Sequence, residues 1–324
     1  MLDVITIGAA TRDVFVVSKA FMLIPLPELG GNFAECVALG SKIDVDDLVL
    51  TTGGGATNAA TTFSRLGFRT ALVSRVGTDG NGVAVLDELQ KEKINCGFVK
   101  KINNGKTAYS TLLTAMNGER TALVYRGVSS GFSESDIPIK MHAAWLYITS
   151  LGGSIPALLR AARMAKTQHM AIAFNPGNGE IKAGLRALDP VLRQVNILLL
   201  NLEEAQQLTG VQTTDVRELS VKLLRPGMTL LITDGANGSH AFDGTGHWKC
   251  GTRAVRSVSR TGAGDAFGSG FVAARLRGYD IADALRVGTL NAENVIGHVG
   301  AKAGILSAWP SKKALGAISV IQNA

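Results

Sequence analysis

The sequence predicts an α/β protein, a doubly wound and mainly parallel sheet with helices on both faces, with a small β-sheet added as a lid. Three observations predict it. From residue 143 onward, short apolar runs alternate with helical segments, the rhythm of a parallel sheet covered on both sides. At the N-terminus, "LDVITIG" (2–8) is an apolar run ending in glycine, which reads as a buried first strand. Between them lie extended, half-polar segments at about 13–52 and 97–128 that could not bury both faces alone. These discontinuous pieces are expected to form the lid, a dimer surface, or both, on one domain spanning 1–324.

Each element has its own signal. "FAECVALGSKIDVDDLVLTT" (33–52) alternates as half-exposed strands do. "ATNAATTFSRLG" (56–67) is helical, with Gly67 as its stop. "TALVSRVG" (70–77) is a second core strand, and "GNGVAVLDELQKEK" (80–93) an amphipathic helix. "KTAYSTLLTAMNGERTALVYRG" (106–127) reads as two strands joined at Asn117-Gly118, a strong hairpin signal. Further strands are expected at 143–149, 169–175, 195–201 and 228–233. Helices are expected at 154–167, 181–193, 202–209, 214–224, 264–277, 280–297 and 311–319.

The totals narrow the function classes. Hydrophobic residues make up 46% of the 324 and charged residues 18%, enough apolar matter for a sizeable core. The net charge is +7, but Lys and Arg are dispersed with no basic run, so no nucleic-acid partner is expected and a mildly positive field suits an anionic nucleotide. Cys36, Cys96 and Cys250 stand far apart, which excludes a zinc spacing and fits reduced thiols in the cytoplasm. No basic n-region precedes a long apolar core, and no apolar run reaches the length of a membrane span. His142, His169, His240, His247 and His298 show no paired spacing, and no G-x-S-x-G elbow is present. "GAATRD" after the first strand is not the G-x-G-x-x-G dinucleotide fingerprint, which removes an NAD-dependent oxidoreductase.

The chemistry gathers in "SRTGAGDAF" (259–267), a loop running into a helix. Ligands of open parallel sheets sit where such loops leave the strand ends. Gly262, Ala263 and Gly264 offer backbone N–H groups unshielded by large side chains, and the helix dipole favours an anion there. A migrating phosphoryl group spreads charge over its oxygens and suits such a cradle. Asp265 beside it would accept the proton of an attacking hydroxyl. The bland alternative makes Asp265 a helix N-cap only. Three further stretches join it. "TTGGGATNAATTF" sets Asn58 on the first turn of a helix, able to donate to and accept from a polyol. "ITDGANGS" (232–239) is a glycine-bearing loop after a strand. "NLEEA" places Asn201 and Glu204 three apart at a strand-to-helix junction, either ordering waters around Mg²⁺ or forming a capping box.

On "GGGATNAATTFSRLG" and "RTGAGDAFGSGF", with "NLEE" and "TDGANG" between them, the chain resembles the ribokinase-like carbohydrate kinases, the PfkB family, nearly end to end. The resemblance implies ATP and Mg²⁺ as cofactors. It implies Asp265 as catalytic base and Gly262, Ala263 and Gly264 as anion hole. Asp13, Gly54, Gly55 and Asn58 would bind substrate. Asn201, Glu204, Thr233, Gly235 and Gly238 would serve the nucleotide side, with Glu204 acting on the metal through water. Asn291 or Asn294 would lie near the adenine. The acceptor would be a small sugar, or in the alternative a nucleoside held by lid aromatics among Phe15, Phe33, Tyr109 and Tyr125; a non-catalytic sugar sensor is the remaining alternative. A homodimer through the lid is an expectation from its extended apolar edges. Three departures stand out: Gly55 replaces the lysine of ribokinases, Arg260 replaces a frequent threonine beside the anion hole, and Ser259 replaces the aspartate that helps many members hold a monovalent cation.

Overall fold

Val4, Ile5, Thr6 and Ile7 are all fully buried, which explains why "VITI" carries no polar-apolar alternation: both faces of this strand are covered. Ile5 and Ile7 pack with one core cluster and Val4 with the other, because successive side chains of a strand point to opposite faces. In the computed structural model this strand, β1 (Val4–Ile7), lies inside a ten-stranded sheet. The structure describes residues 1–26, 33–115 and 120–323, so the Asn117-Gly118 turn lies outside the described residues.

The strands are β1, β2 (Thr11–Val17), β3 (Met22–Pro25), β4 (Phe33–Cys36), β5 (Asp47–Gly53), β6 (Thr70–Gly77), β7 (Asn95–Ile102), β8 (Ala108–Thr114), β9 (Arg120–Tyr125), β10 (Trp145–Ile148), β11 (Ala171–Phe174), β12 (Ile197–Asn201), β13 (Thr229–Thr233), β14 (Ser239–Phe242), β15 (His247–Cys250) and β16 (Val320–Asn323). The helices are α1 (Gly55–Arg65), α2 (Gly80–Lys91), α3 (Ile155–Thr167), α4 (Asn178–Ala183), α5 (Leu185–Leu192), α6 (Leu202–Thr209), α7 (Val216–Leu223), α8 (Ala263–Leu276), α9 (Ile281–Ile296) and α10 (Lys312–Gly316). The large sheet runs β16-β15-β14-β13-β12-β11-β10-β1-β6-β7. It is parallel from β7 to β13 and antiparallel from β13 to β16. The expected doubly wound body is therefore present, extended by three antiparallel strands that the sequence reading does not contain. The expected helix over 181–193 is two helices, parted at Gly184, whose φ of 84° only glycine adopts easily.

The second sheet runs β5-β2-β8-β9, with β2 and β8 parallel and the outer pairs antiparallel. Residues 95–102 do not belong to it. They form β7, which pairs with β6 at the edge of the large sheet, a correction to the expected lid segment 97–128. An edge strand with exposed lysines and a lid strand have the same half-polar pattern, and only the partner distinguishes them. Within the 19–48 segment, β3 and β4 form a separate two-stranded ladder.

Glu88 on α2 ties the small sheet to the body. Its carboxylate accepts from Thr52 N–H (2.9 Å), Thr52 Oγ1 (2.8 Å), Thr51 Oγ1 (3.1 Å) and Arg12 Nη1 (3.3 Å). A second clamp is Asp136, whose side chain is 1% exposed and accepts from Lys100 Nζ (2.8 Å), Ser133 N–H (2.8 Å) and Arg75 Nη1 (3.0 Å). Burial opposes its ionisation, but Lys100, Ser133 and Arg75 outweigh burial and hold its pKa at about 2.

Asp136→Ala leaves Arg75 without its partner and is expected to cost about 3 kcal/mol in denaturant unfolding, as breaking a buried pair does. Because the folded pKa lies below the unfolded value of about 3.9, the contribution is full above that value and is lost as pH falls toward the folded one. The stability difference between wild type and Asp136→Ala is expected to shrink over that window.

Candidate active site

Two helices begin at the same end of the sheet, and three glycines make the first of these starts possible. A Cβ on Gly53 would stand 1.8 Å from Asp13 Oδ2, and one on Gly54 2.3 Å from the Ala9 carbonyl. Gly54 also holds φ at 95°, in the region that favours glycine. A Cβ on Gly55 would stand 3.0 Å from Asp265 Oδ1. The turn at 53–55 is thus pressed between the carboxylates of Asp13 and Asp265. Just past it, Asn58 is buried, and its amide Nδ2 donates to Asp265 Oδ2 at 2.8 Å. Asn58 Oδ1 is buried with no partner among the described residues.

The second start is α8. Its N-cap is Gly262 at φ 79°, where a Cβ would come within 2.5 Å of Ala301 Cβ. Asp265 is the third helical residue and makes no capping bond, so the N-cap alternative does not describe it. The first intrahelical bond runs from Ala266 N–H to the Gly262 carbonyl (2.9 Å), which leaves the N–H groups of Gly264 and Asp265 available to an anion. A Cβ on Gly264 would meet nothing within 4 Å, so this face of the turn is open.

An open cleft of about 190 Å³ lies at this second start. Asn175, Leu199, Leu200, Asn201, Glu204, Thr233, Gly262, Gly264 and Asp265 line it. Asn201 and Glu204 do form the capping box of α6: Glu204 N–H donates to Asn201 Oδ1 (2.8 Å) and Asn201 N–H to Glu204 Oε2 (2.9 Å). They cap the helix and line the cleft together, so the two readings of this pair do not compete. Thr233 ends β13 opposite Asn201 of β12. The chain then reverses through Gly235 (φ 52°) and Gly238 (φ 98°), where a Cβ on Gly238 would strike the Cys250 carbonyl at 2.0 Å.

Charge in the site is acidic and poorly hydrated. Burial raises the pKa of Asp265; the Asn58 amide and the Lys302 ammonium pull it back, and Asp13 adds to the rise. Burial also raises Asp13, against the hydroxyls of Thr11 and Ser110 and the charge of Lys302. Glu204 is raised by burial and by Asp265 and Glu203, with the Asn201 N–H opposing. Glu204 is therefore a carboxylate facing further negative charge across the cleft, where a water-bridged divalent cation would offset it.

Some expected residues lie elsewhere. Asn291 is fully buried and all its bonds are internal: Nδ2 donates to the Ala266 carbonyl (2.7 Å) and to Thr62 Oγ1 (3.3 Å), and Oδ1 accepts from Leu306 N–H (2.9 Å). It fastens α9 to α8 and has no free group to offer an adenine, which corrects that expectation. Asn294 is exposed on the same helix, outside the cleft lining. Arg260 is exposed beside the anion-binding turn. The sequence reading missed Asn175, at the end of β11, and Lys302. The histidines at 240 and 247 prove to be bonded across the β14–β15 hairpin, Nδ1 to Nε2 at 2.9 Å. The register sets His247 opposite Phe242 and His240 opposite Lys249, so the two histidines are diagonal neighbours across the hairpin.

A mainly parallel sheet, a small second sheet and a carboxylate at a glycine-lined helix start are an arrangement suited to phosphoryl transfer onto an alcohol. Residues 13–308 match the model of the pfkB family carbohydrate kinases, and the chain belongs to that family. It is an ATP-dependent sugar or nucleoside kinase. The chain is 26% identical over 276 residues to a ribokinase of Staphylococcus aureus, covering 82% of this chain and 89% of that protein. It is 25% identical over 253 residues to a nucleoside kinase of Methanothermobacter thermautotrophicus, covering 78% and 81%. The structure of Arabidopsis thaliana ribokinase complexed with ribose and ATP superposes with a TM-score of 0.75 at 19% identity, covering 98% of each chain. Among the described residues no helix is long and apolar enough to cross a membrane.

A base whose pKa is raised by burial must lose its proton before it can act. The acceptor kcat/KM is therefore expected to rise with pH through a limb above the ordinary aspartate value of about 3.9. A pH–rate profile measures it, and Asp265→Asn is expected to remove this limb.

Proposed function

We propose that the chain transfers the γ-phosphoryl group of ATP to a hydroxymethyl group of a small sugar or sugar derivative, with Asp265 as base and the 262–265 turn as anion hole. The observation that carries this reading is the Asn58–Asp265 pair. One amide orients the carboxylate through Nδ2 and leaves Oδ1 buried and unpartnered. A buried acceptor without a donor costs stability, and a substrate hydroxyl supplies the missing donor. A neighbouring hydroxyl of the same sugar, the attacking one, then lies within reach of Asp265.

In this mechanism Asp13, Asn58 and the turn around Gly54 and Gly55 position the acceptor. Asp265 takes the proton of the attacking hydroxyl while that oxygen attacks the γ-phosphorus in line. The N–H groups of Gly264 and Asp265 receive the charge gathering on the phosphoryl oxygens. The nucleotide lies along Thr233, Gly235 and Gly238, with Asn201 and Glu204 beside the phosphates. Glu204 would hold Mg²⁺ through water, and that ion would neutralise phosphate charge. Positioning and electrostatics supply the rate enhancement, and the small sheet keeps water from the acceptor.

The lid aromatics support a sugar over a nucleoside. Phe15 is 1% exposed and lies close to Gly300, while Phe33 and Tyr125 are 60% and 53% exposed. Of the four candidates for stacking on a base, only Tyr109 is half-buried. Thr11, Asp13, Ser110 and Asn58 instead offer a polyol its hydrogen-bond partners.

ADP release measured over ribose, fructose, a ketodeoxy sugar acid, adenosine and inosine is expected to respond to a sugar. Turnover of the nucleosides alone would overturn the sugar reading. Asp265→Asn is expected to fold normally and lower kcat by about 10²–10⁴-fold, as loss of a general base does.

A further inference from the structure

Lys302 takes no part in the chemistry above, yet it is 4% exposed and stands against the acceptor half of the site. Its Nζ donates to Thr57 Oγ1 at 2.9 Å. Thr57 in turn donates to the carbonyls of Gly53 (2.7 Å) and Gly54 (3.0 Å), the turn that separates Asp13 from Asp265. The neighbouring residue is Asn58, which holds Asp265. The main chain of Lys302 is fixed as firmly. Arg65 Nη1 donates to its carbonyl at 2.8 Å, and Glu92 anchors Arg65 through Nε at 2.9 Å. Ala301, one residue back, packs against Gly262 of the anion-binding turn, and Gly300 faces Thr51 of β5.

An ammonium this deep is costly unless opposite charge surrounds it. The groups facing it are Asp13 on β2, Glu88 on α2, Glu92 just beyond α2 and Asp265 on α8, with Arg65 on α1 opposing them. Glu88 already has the lid threonines and Arg12 as donors. Asp13 and Asp265 have no bonded cation of their own among the described residues, and Lys302 is the cation whose charge reaches both.

We propose that Lys302 is a positioning residue for the acceptor side of the proposed sugar kinase site, an internal cation that fixes the Gly53–Asn58 turn through Thr57 and keeps Asp13 and Asp265 charged and in place. It touches neither substrate nor phosphate. The inference rests on the sugar kinase reading and adds a residue to it. The expected signature is selective: the acceptor loses affinity and the carboxylates become harder to ionise, while the nucleotide side is left alone.

The test is acceptor-dependent ADP release by the full chain as a function of pH, for wild type, Lys302→Met and Lys302→Arg. Lys302→Met is expected to lower acceptor kcat/KM by about tenfold or more, to move the acid limb to higher pH, and to leave KM for ATP within about twofold. Lys302→Arg, which keeps the charge, is expected to restore the acid limb. Thr57→Val, which breaks the link from Lys302 to the turn, is measured beside them and is expected to lower acceptor kcat/KM with KM for ATP unmoved. A folded Lys302→Met with an unmoved acid limb and unchanged acceptor kcat/KM overturns the proposal alone, and where Lys302→Met does not fold, unchanged acceptor kcat/KM in Thr57→Val does so. A wild type with no sugar-dependent ADP release overturns the sugar kinase reading and the proposal with it.

Discussion

The hydrogen bond from Asn58 to Asp265 joins two helix starts that are 207 residues apart in sequence. The geometry of the site depends on it. One helix start belongs to the N-terminal half and the other to the C-terminal half; in the proposed mechanism the first faces the acceptor and the second the phosphates. A parallel sheet makes their meeting natural, because the loops that lead from strands into helices gather at one end of the sheet. Glycine makes it physically possible: Gly53 and Gly55 leave room for two carboxylates, and Gly262 lets α8 begin against Ala301.

The arrangement carries an electrostatic cost. Asp13, Asp265 and Glu204 all have their pKa values raised by burial, and they also repel one another. A folded chain tolerates this only with compensating charge nearby. On the acceptor side Lys302 supplies it from within. On the nucleotide side the chain has no equivalent lysine among the cleft-lining residues, and there a divalent ion carried with the nucleotide suits the same need. The lid is tied to this network through Glu88, so lid strands and acceptor carboxylates answer to the same charges.

Much of this was legible in the sequence, and the reasons for success and failure are physical. The strand expected at 70–77 is β6 over the same residues, because a strand buried on both faces is a bounded apolar run. The glycine-flanked helix starts were legible because close approach admits few other residues. The β14–β16 extension was not, since "SHAF" and "HWKC" are too short and mixed for a periodicity to emerge. Asn291 is placed near the adenine by the family resemblance alone, and a resemblance does not show that its three bonds are all internal. Lys302 sits in "GAKAG" with no pattern around it, and its importance arises only from folding, which brings residues 13, 57, 88 and 265 around it.

The most direct test of the central claim is a crystal structure with ADP, Mg²⁺, a planar fluoro-metallate mimic of the moving phosphoryl group, and the turned-over sugar. The mimic is expected within hydrogen-bond distance of the Gly264 and Asp265 N–H groups, with one sugar hydroxyl on Asp265 and a second donating to Asn58 Oδ1. A mimic bound away from that turn, or a sugar whose hydroxyls never approach Asn58 and Asp265, would contradict the account.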